Sequence, residues 1–213
     1  FPDRSVIADR VCDILRLIIA KFRSACRGGN YSMQTELKIQ AQAVFLRKFV
    51  SADADKVFKM SIENSMRTWI PDQVYRDVAH AQEVLKFLID QYQDDVFPTM
   101  APVVLGICLA GTGELIGHIG ISPLQEDVEV GYAIEERQQG KGYAGMAVRA
   151  MCEWALAEFA LPRLLGVVAV DNRSSCRVLE KAGFRLLCEE TGKMHGIERM
   201  LRKYEITPTS LGE

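Results

Sequence analysis

The chain has no CxxC pair, no HxxxH or HExxH pattern and no GxxxxGK(S/T) loop. Each absence removes a class of function. The six cysteines, Cys12, Cys26, Cys108, Cys152, Cys176 and Cys188, are scattered and mostly lie in apolar runs, as buried reduced thiols do. A cytoplasmic protein without disulfides or structural zinc is expected. The three histidines, His80, His118 and His195, are far apart in sequence, so no metal is expected either. Charge of one sign is also scarce: 26 Lys and Arg against 28 Asp and Glu leave a net −2. No global field favours nucleic acid, and any anion site must be built locally. What remains is ordinary globular composition, 48% hydrophobic over 213 residues, with no internal repeat or low-complexity segment.

Residues 1–32 read as an amphipathic helix and linker preceding a domain at 33–213. Ile7, Val11, Ile14, Leu15, Ile18, Ile19 and Phe22 recur at helical spacing, and "CRGGNYSM" follows. Asp13 and Arg16 break the apolar run well short of the roughly 18 residues a membrane span needs, and no small-residue cleavage site follows. Packing on its own domain, on a dimer partner or on a membrane surface are the open roles for this helix.

From Thr35 the pattern becomes mixed α/β. "TELKIQAQAVFLRKF" alternates with a register change at Val44, giving a strand or hairpin. "SADADKVFKMSIEN" has capping candidates in Ser51 and Asp53. A second helix is predicted from Pro71, with Val74, Val78, Ala81, Leu85 and Leu88 on one face. Trp69 falls in the connection between the two helices, where an aromatic either caps the core or touches a ligand. "PVVLGICLA" and "ELIGHIGISPL", joined by Gly111-Thr112-Gly113, read as a hairpin. "DVEVGYAI" is a strand with both faces largely apolar apart from Glu129, and "LLGVVAV" a short apolar strand. "DNRSSCRVLEKAGF" is a capped helix ending at Gly183, and two strands complete the chain.

The most informative stretch is "EERQQGKGYAGMAVRAMCEWAL", where Gly140, Gly142 and Gly145 precede a helix with Ala147, Met151, Trp154, Ala155 and Leu156 at near-helical period. A strand passing through a glycine loop into a helix leaves backbone N–H groups unpaired and aimed at one volume, with the helix dipole adding positive potential. A phosphate suits that place. Lys141 lies between the glycines, unlike a triphosphate loop, and the acidic residue expected after a second parallel strand in a dinucleotide fold is missing.

Arg137, Gly140 and Gly142 fit the Q/R-x-x-G-x-G/A loop of the GNAT superfamily of acetyl-CoA-dependent N-acetyltransferases. Asn172, Ser175, Lys181, Gly183 and Phe184 fit its second signature, N-x-x-A/S-x-x-L-x-x-K-x-G-F. With "EVGYAI" and "VFLRKF", the chain resembles the RimJ/RimL-like branch over about residues 35–205. The resemblance implies an α/β (α+β) GNAT fold: a mixed, mostly antiparallel sheet of six to seven strands flanked by helices. Backbone amides from Gln138 through Gln139, Gly140, Lys141, Gly142 and Tyr143 to Ala144 would hold the acetyl-CoA pyrophosphate, with Arg137 and Lys141 at the rim. Pantetheine would lie between the family's splayed fourth and fifth strands, against Tyr132 and Ile134. Asn172 and Ser175 would contact its pantetheine or thioester end, Asn172 serving also as a helix cap.

Direct transfer to an amine requires a base, an oxyanion donor and a leaving thiolate. Glu129 is the candidate base, directly or through water. A structural hydrogen bond, or a carboxylate that merely holds the amine, are its other readings. A backbone N–H near Tyr132 would face the oxyanion. Leu179 stands where many members carry the tyrosine that protonates the thiolate, so Ser175 or water is left as the donor. Cys176 is read as packed rather than nucleophilic. Trp69 is the candidate acceptor contact. The expected acceptor is a protein N-terminal amine or a small-molecule amine. A CoA-binding module without turnover is the alternative, and a homodimer is compatible with either.

Overall fold

The computed structural model describes residues 37–92 and 97–211, so the N-terminal helix and linker expected at 1–32 lie outside the described residues. The alternating segment at the start is a hairpin. Strands β1 (Lys38–Ala41) and β2 (Val44–Arg47) meet at a two-residue turn where Gln42 takes a φ of 54°. This supplies one strand beyond the six to seven expected. Strands β3 (Val103–Leu109), β4 (Leu115–Leu124), β5 (Asp127–Ile134), β6 (Leu164–Ala169), β7 (Arg185–Met194) and β8 (Ile197–Ile206) complete an eight-stranded sheet in the order β1-β2-β3-β4-β5-β6-β8-β7. All neighbours pair antiparallel except β5 and β6, which are parallel.

Helices cover both faces. Helix α1 (Ala54–Ser61) and helix α3 (Val78–Gln91) lie on one side, where Ala54, Val57, Met60 and Leu85 pack with Phe49, Cys108 and Leu115. Between them runs α2 (Asn64–Trp69), so Trp69 ends a helix rather than sitting in a bare connection. Helix α3 starts seven residues later than expected from Pro71. Pro71–Gln73 form a separate 3₁₀ turn, and Val74 at φ −87°, ψ 110° breaks the helical path. Asp77 then caps α3, its Oδ1 accepting from His80 N at 2.8 Å. The other face carries α4 (Tyr143–Glu158) and α5 (Arg173–Lys181). Ala147, Met151, Ala155 and Leu156 of α4 are buried as their spacing predicts, beside Ile119, Val130, Leu164 and Tyr204 of the sheet. Trp154 is only partly buried and stands edge-on to Phe159 at 5.3 Å.

Three local devices fix the ends. The Asp53 carboxylate accepts from Val50 N at 2.9 Å and from both terminal nitrogens of Arg47 at 2.7 and 2.8 Å, so it caps the entry to α1 and ties it to β2. At the end of α5, Phe184 N donates to Leu179 O and Gly183 N to Glu180 O, with Gly183 at φ 98° and Phe184 buried. That is the Schellman cap that Gly183 and Phe184 suggested. The edge strand β7 is exposed along most of its length. Its cross-strand ion pairs, Glu189 with Arg202 at 2.7 Å and Glu190 with Lys203 at 2.6 Å, put charge where an unpaired strand would otherwise invite association.

Candidate active site

The parallel pair at the centre of the sheet barely pairs. Strands β5 and β6 share a single register pair, Glu129 with Leu165. Beyond it the strands part: Val130–Ile134 remain matched to β4, and Gly166–Ala169 to β8. A cleft therefore opens between two strands of one sheet, with the start of α4 at one end and the start of α5 beneath it.

At the α4 end, β5 passes through a 3₁₀ turn (Glu136–Gln138) to Gly142, which precedes the helix. Gly140 and Gly142 take φ of 76° and 84°, conformations that side-chain-bearing residues rarely adopt. A Cβ on Gly140 or Gly145 would meet nothing within 4 Å, so the space before the helix is open. No side chain caps α4. Met146 N is the first amide to bond back, to Gly142 O at 3.2 Å, which leaves the N–H groups of Tyr143, Ala144 and Gly145 without an intrahelical partner.

The long side chains of the loop are instead occupied with one another. Gln139 Nε2 donates to Ile134 O at 2.9 Å, and Lys141 Nζ donates to Gln138 Oε1 at 2.7 Å. The Arg137 guanidinium bonds Glu114 and lies 2.7 Å from Oε1 of the buried Glu135. That oxygen receives no well-directed hydrogen bond, so its pairing is one of charge alone. The other Glu135 oxygen accepts from Lys56 Nζ at 2.5 Å. The side chains thus brace the loop, and Gln138 N and Gln139 N, expected among the phosphate-binding amides, are instead spent on Glu135 O and Glu136 O at 2.9 and 3.2 Å.

At the α5 end, Asn172 Oδ1 accepts from Ser175 N at 3.1 Å and from Ser174 Oγ at 2.9 Å, so Asn172 is the helix cap. The Ser175 hydroxyl lies 2.8 Å from the Tyr132 hydroxyl, joining α5 to β5 across the cleft. Burial pushes the Tyr132 phenol up to about 12, against the lowering effect of the Ser175 bond. Cys176 is buried, with Sγ 4.0 Å from Ala169 O, and belongs to the core. Leu179 is 1% exposed. A Cβ on Gly166 of β6 would stand 2.7 Å from Leu179 Cδ1, so leucine and glycine at these positions fit as a pair. Leu179→Tyr is expected to overpack this contact and cost about 1–3 kcal/mol in denaturant unfolding. A wild-type midpoint in that variant would show the site can accommodate the larger ring.

The opposite face of the cleft is acidic and aromatic. Val128, Val130 and Ile134 point into the α4 side of the sheet, so alternation puts Glu129, Gly131 and Ala133 on the α1–α3 side. Glu129 is partly buried there, and its carboxyl is pushed above the ordinary carboxylate range by burial, opposed by the charge of nearby His195. His195 and Gly196, at φ 52° and 75°, form the two-residue turn between β7 and β8. His195 Nδ1 lies 2.6 Å from Asp72 Oδ2 in the turn after α2. The Arg199 guanidinium sits over the Trp69 ring at 5.8 Å, and its Nη1 is 3.4 Å from Asp171 Oδ2. Trp69 belongs to neither hydrophobic cluster. Asp72, His195 and Arg199 were not singled out from sequence. His195 pairs with a residue 123 positions away, a contact that spacing in sequence does not mark.

Among the described residues no group of His, Cys, Asp or Glu is arranged to hold a metal ion, and no helix is long and apolar enough to cross a membrane. Residues 43–185 match the model of the acetyltransferase (GNAT) domain. The uncharacterized N-acetyltransferase YnaD of Bacillus subtilis is 26% identical over 151 residues, covering 70% of this chain and 83% of that protein. Among solved structures, Mycobacterium smegmatis RimJ in complex with CoA-disulfide superposes with a TM-score of 0.70 at 19% identity, over 85% of this chain and 90% of that one. The ribosomal-protein-S5-alanine acetyltransferase of Vibrio fischeri does so with a TM-score of 0.67 at 18% identity, over 80% and 96%.

Proposed function

Since this chain belongs to the GNAT acetyltransferase family, we propose that it transfers the acetyl group of acetyl-CoA directly to a primary amine while both substrates are bound. The observation that carries this reading is the conjunction of the uncapped α4 N-terminus with the β5–β6 cleft leading from it to Glu129. The phosphate seat is assigned to the backbone of Gly140–Ala144, since the Gln138 and Gln139 amides bond within the preceding turn, with the Arg137, Gln139 and Lys141 side chains shaping the loop rather than all reaching the anion. The acyl-bearing arm would run along the cleft past Ile134 and Tyr132 toward Ser175. The structural likeness to RimJ, solved with CoA-disulfide, supports the same donor.

The amine would approach from the α1–α3 side, between Trp69 and the β7–β8 turn. Glu129 takes its proton, directly or through one water, because burial raises the carboxyl's proton affinity. A β5 backbone N–H near Tyr132 stabilises the charge that develops on the carbonyl oxygen. The Ser175 hydroxyl faces the departing sulfur. An acceptor α-amine, with a pKa of about 7.7–8.0, is roughly several hundred-fold more deprotonated at pH 7 than a lysine near 10.4. So light an apparatus is adequate for a protein N-terminal amine or a small-molecule amine of similar basicity. The ribosomal-protein acetyltransferase among the structural neighbours illustrates such an acceptor class.

The test is a screen for release of the CoA thiol from acetyl-CoA across N-terminal peptides, amino acids, polyamines and aminoglycosides, with thermal stabilisation by acetyl-CoA as the binding readout. Stabilisation together with acceptor-dependent release is expected. Absence of both would remove the proposal.

A further inference from the structure

With Leu179 packed on Gly166, α5 carries no tyrosine to meet the leaving sulfur, and the only hydroxyl group of its first turn tied to another element is that of Ser175. Ser174, its neighbour, is spent on the Asn172 cap. Ser175 alone is a poorly directed donor, since its hydroxyl is free to rotate among several acceptors. Tyr132 removes that freedom. Its hydroxyl comes from β5, across the cleft, and lies 2.8 Å from Ser175 Oγ and 3.2 Å from Ser175 O. The ring is held by packing against the main core, so the phenol oxygen is fixed in space while the serine hydroxyl turns about it.

On the reading that the cleft holds the acyl-bearing arm of acetyl-CoA, we propose that Tyr132 is a positioning residue: it donates its hydrogen bond to Ser175 Oγ, which turns the serine O–H toward the CoA sulfur. As the C–S bond breaks and its electron pair stays on sulfur, this hydrogen bond stabilises the thiolate. The proton itself stays on oxygen. A phenol held near 12 and an alcohol are both weaker acids than a thiol near 8.5, so transfer to sulfur would run uphill. The thiolate leaves as such, or takes its proton from solvent. The device couples β5, whose backbone faces the carbonyl oxygen, to the group that faces the sulfur, so one strand orients both ends of the breaking bond.

The probe is CoA itself, which makes the test independent of the acceptor. The pKa of its bound thiol is read from the ultraviolet absorbance of the thiolate, with affinity measured by calorimetry and folding by thermal unfolding. The wild type is expected to hold the thiol below its ordinary value of about 8.5. Ser175→Ala should return it to that value. Tyr132→Phe, which keeps the ring, should lower the acid dissociation constant of the bound thiol by roughly threefold to tenfold, the size of one ordinary hydrogen bond. In the Ser175→Ala background the tyrosine change should add nothing, which a merely structural role would not produce. Ser175→Thr, which keeps the hydroxyl, should restore the depression. An unshifted thiol in the wild type, no effect of Tyr132→Phe, or an equal effect with and without Ser175 would each overturn the positioning role. Failure of CoA to bind at all would instead remove the functional proposal on which it rests.

Discussion

Replacing Glu129 with glutamine is expected to lower kcat by about 10²–10⁴-fold, the range for loss of a positioned general base, with CoA affinity unchanged. The size follows from what glutamine keeps and loses. It retains volume and one hydrogen-bonding oxygen on a β5 position whose register partners are Ser122 and Leu165, so the strand should not move. It cannot accept a proton. The pH profile supplies the second signature. Burial disfavours the ionised form of Glu129 and so raises its pKa, with His195 opposing the shift. Activity that needs the carboxylate is therefore lost as pH falls through a value above the ordinary carboxylate range, and this acidic limb should vanish in the glutamine variant. His195→Ala removes the opposing charge and should move the limb to still higher pH. If Glu129→Gln raised only KM, the carboxylate would be holding the ammonium rather than deprotonating it.

The elements proposed to hold the donor were more legible in the sequence than those proposed to meet the acceptor, for a physical reason. Pyrophosphate recognition by a helix N-terminus is local: Gly140 and Gly142 stand two residues apart, and their positive φ follows from glycine alone. The α5 cap is equally local, spanning Asn172 to Ser175 at one end and Leu179 to Phe184 at the other. The face proposed for the acceptor is assembled across the chain. Trp69 meets Arg199, and Asp72 meets His195, only because the β7–β8 hairpin folds back over α2. Spacing in sequence holds no record of such a contact. The late start of α3 has a different origin. Pro71 is a favourable first-turn residue, but Asp77 is the better cap, and Val74 lies in the extended link between them. Likewise, Arg137 matched the family's loop motif, yet its guanidinium is engaged by Glu114 and Glu135, neighbours whose proximity depends on the β4–β5 pairing.

Gly140→Asp is expected to weaken CoA binding by at least about 10²-fold while leaving the fold intact, and the two halves of that statement have separate grounds. Aspartate is among the few residues that tolerate the left-handed region, and nothing lies within 4 Å of the added Cβ. A carboxylate just ahead of α4 also complements the helix dipole, so thermal stability should stay level or rise slightly. The same carboxylate occupies the open space assigned to the pyrophosphate. Two unit charges about 4 Å apart at an effective dielectric near 20 repel by about 4 kcal/mol, roughly a thousandfold in affinity. Part of that should be recovered at about 1 M salt, where the screening length falls to about 3 Å. Gly140→Ala separates the charge from the backbone: it carries the cost of positive φ, about 1–2 kcal/mol, without the repulsion, and should bind CoA far better than the aspartate variant. Calorimetric titration of the three proteins decides the matter. Equal affinity for wild type and Gly140→Asp would place the pyrophosphate away from the glycine loop and would leave the open α4 N-terminus without a ligand.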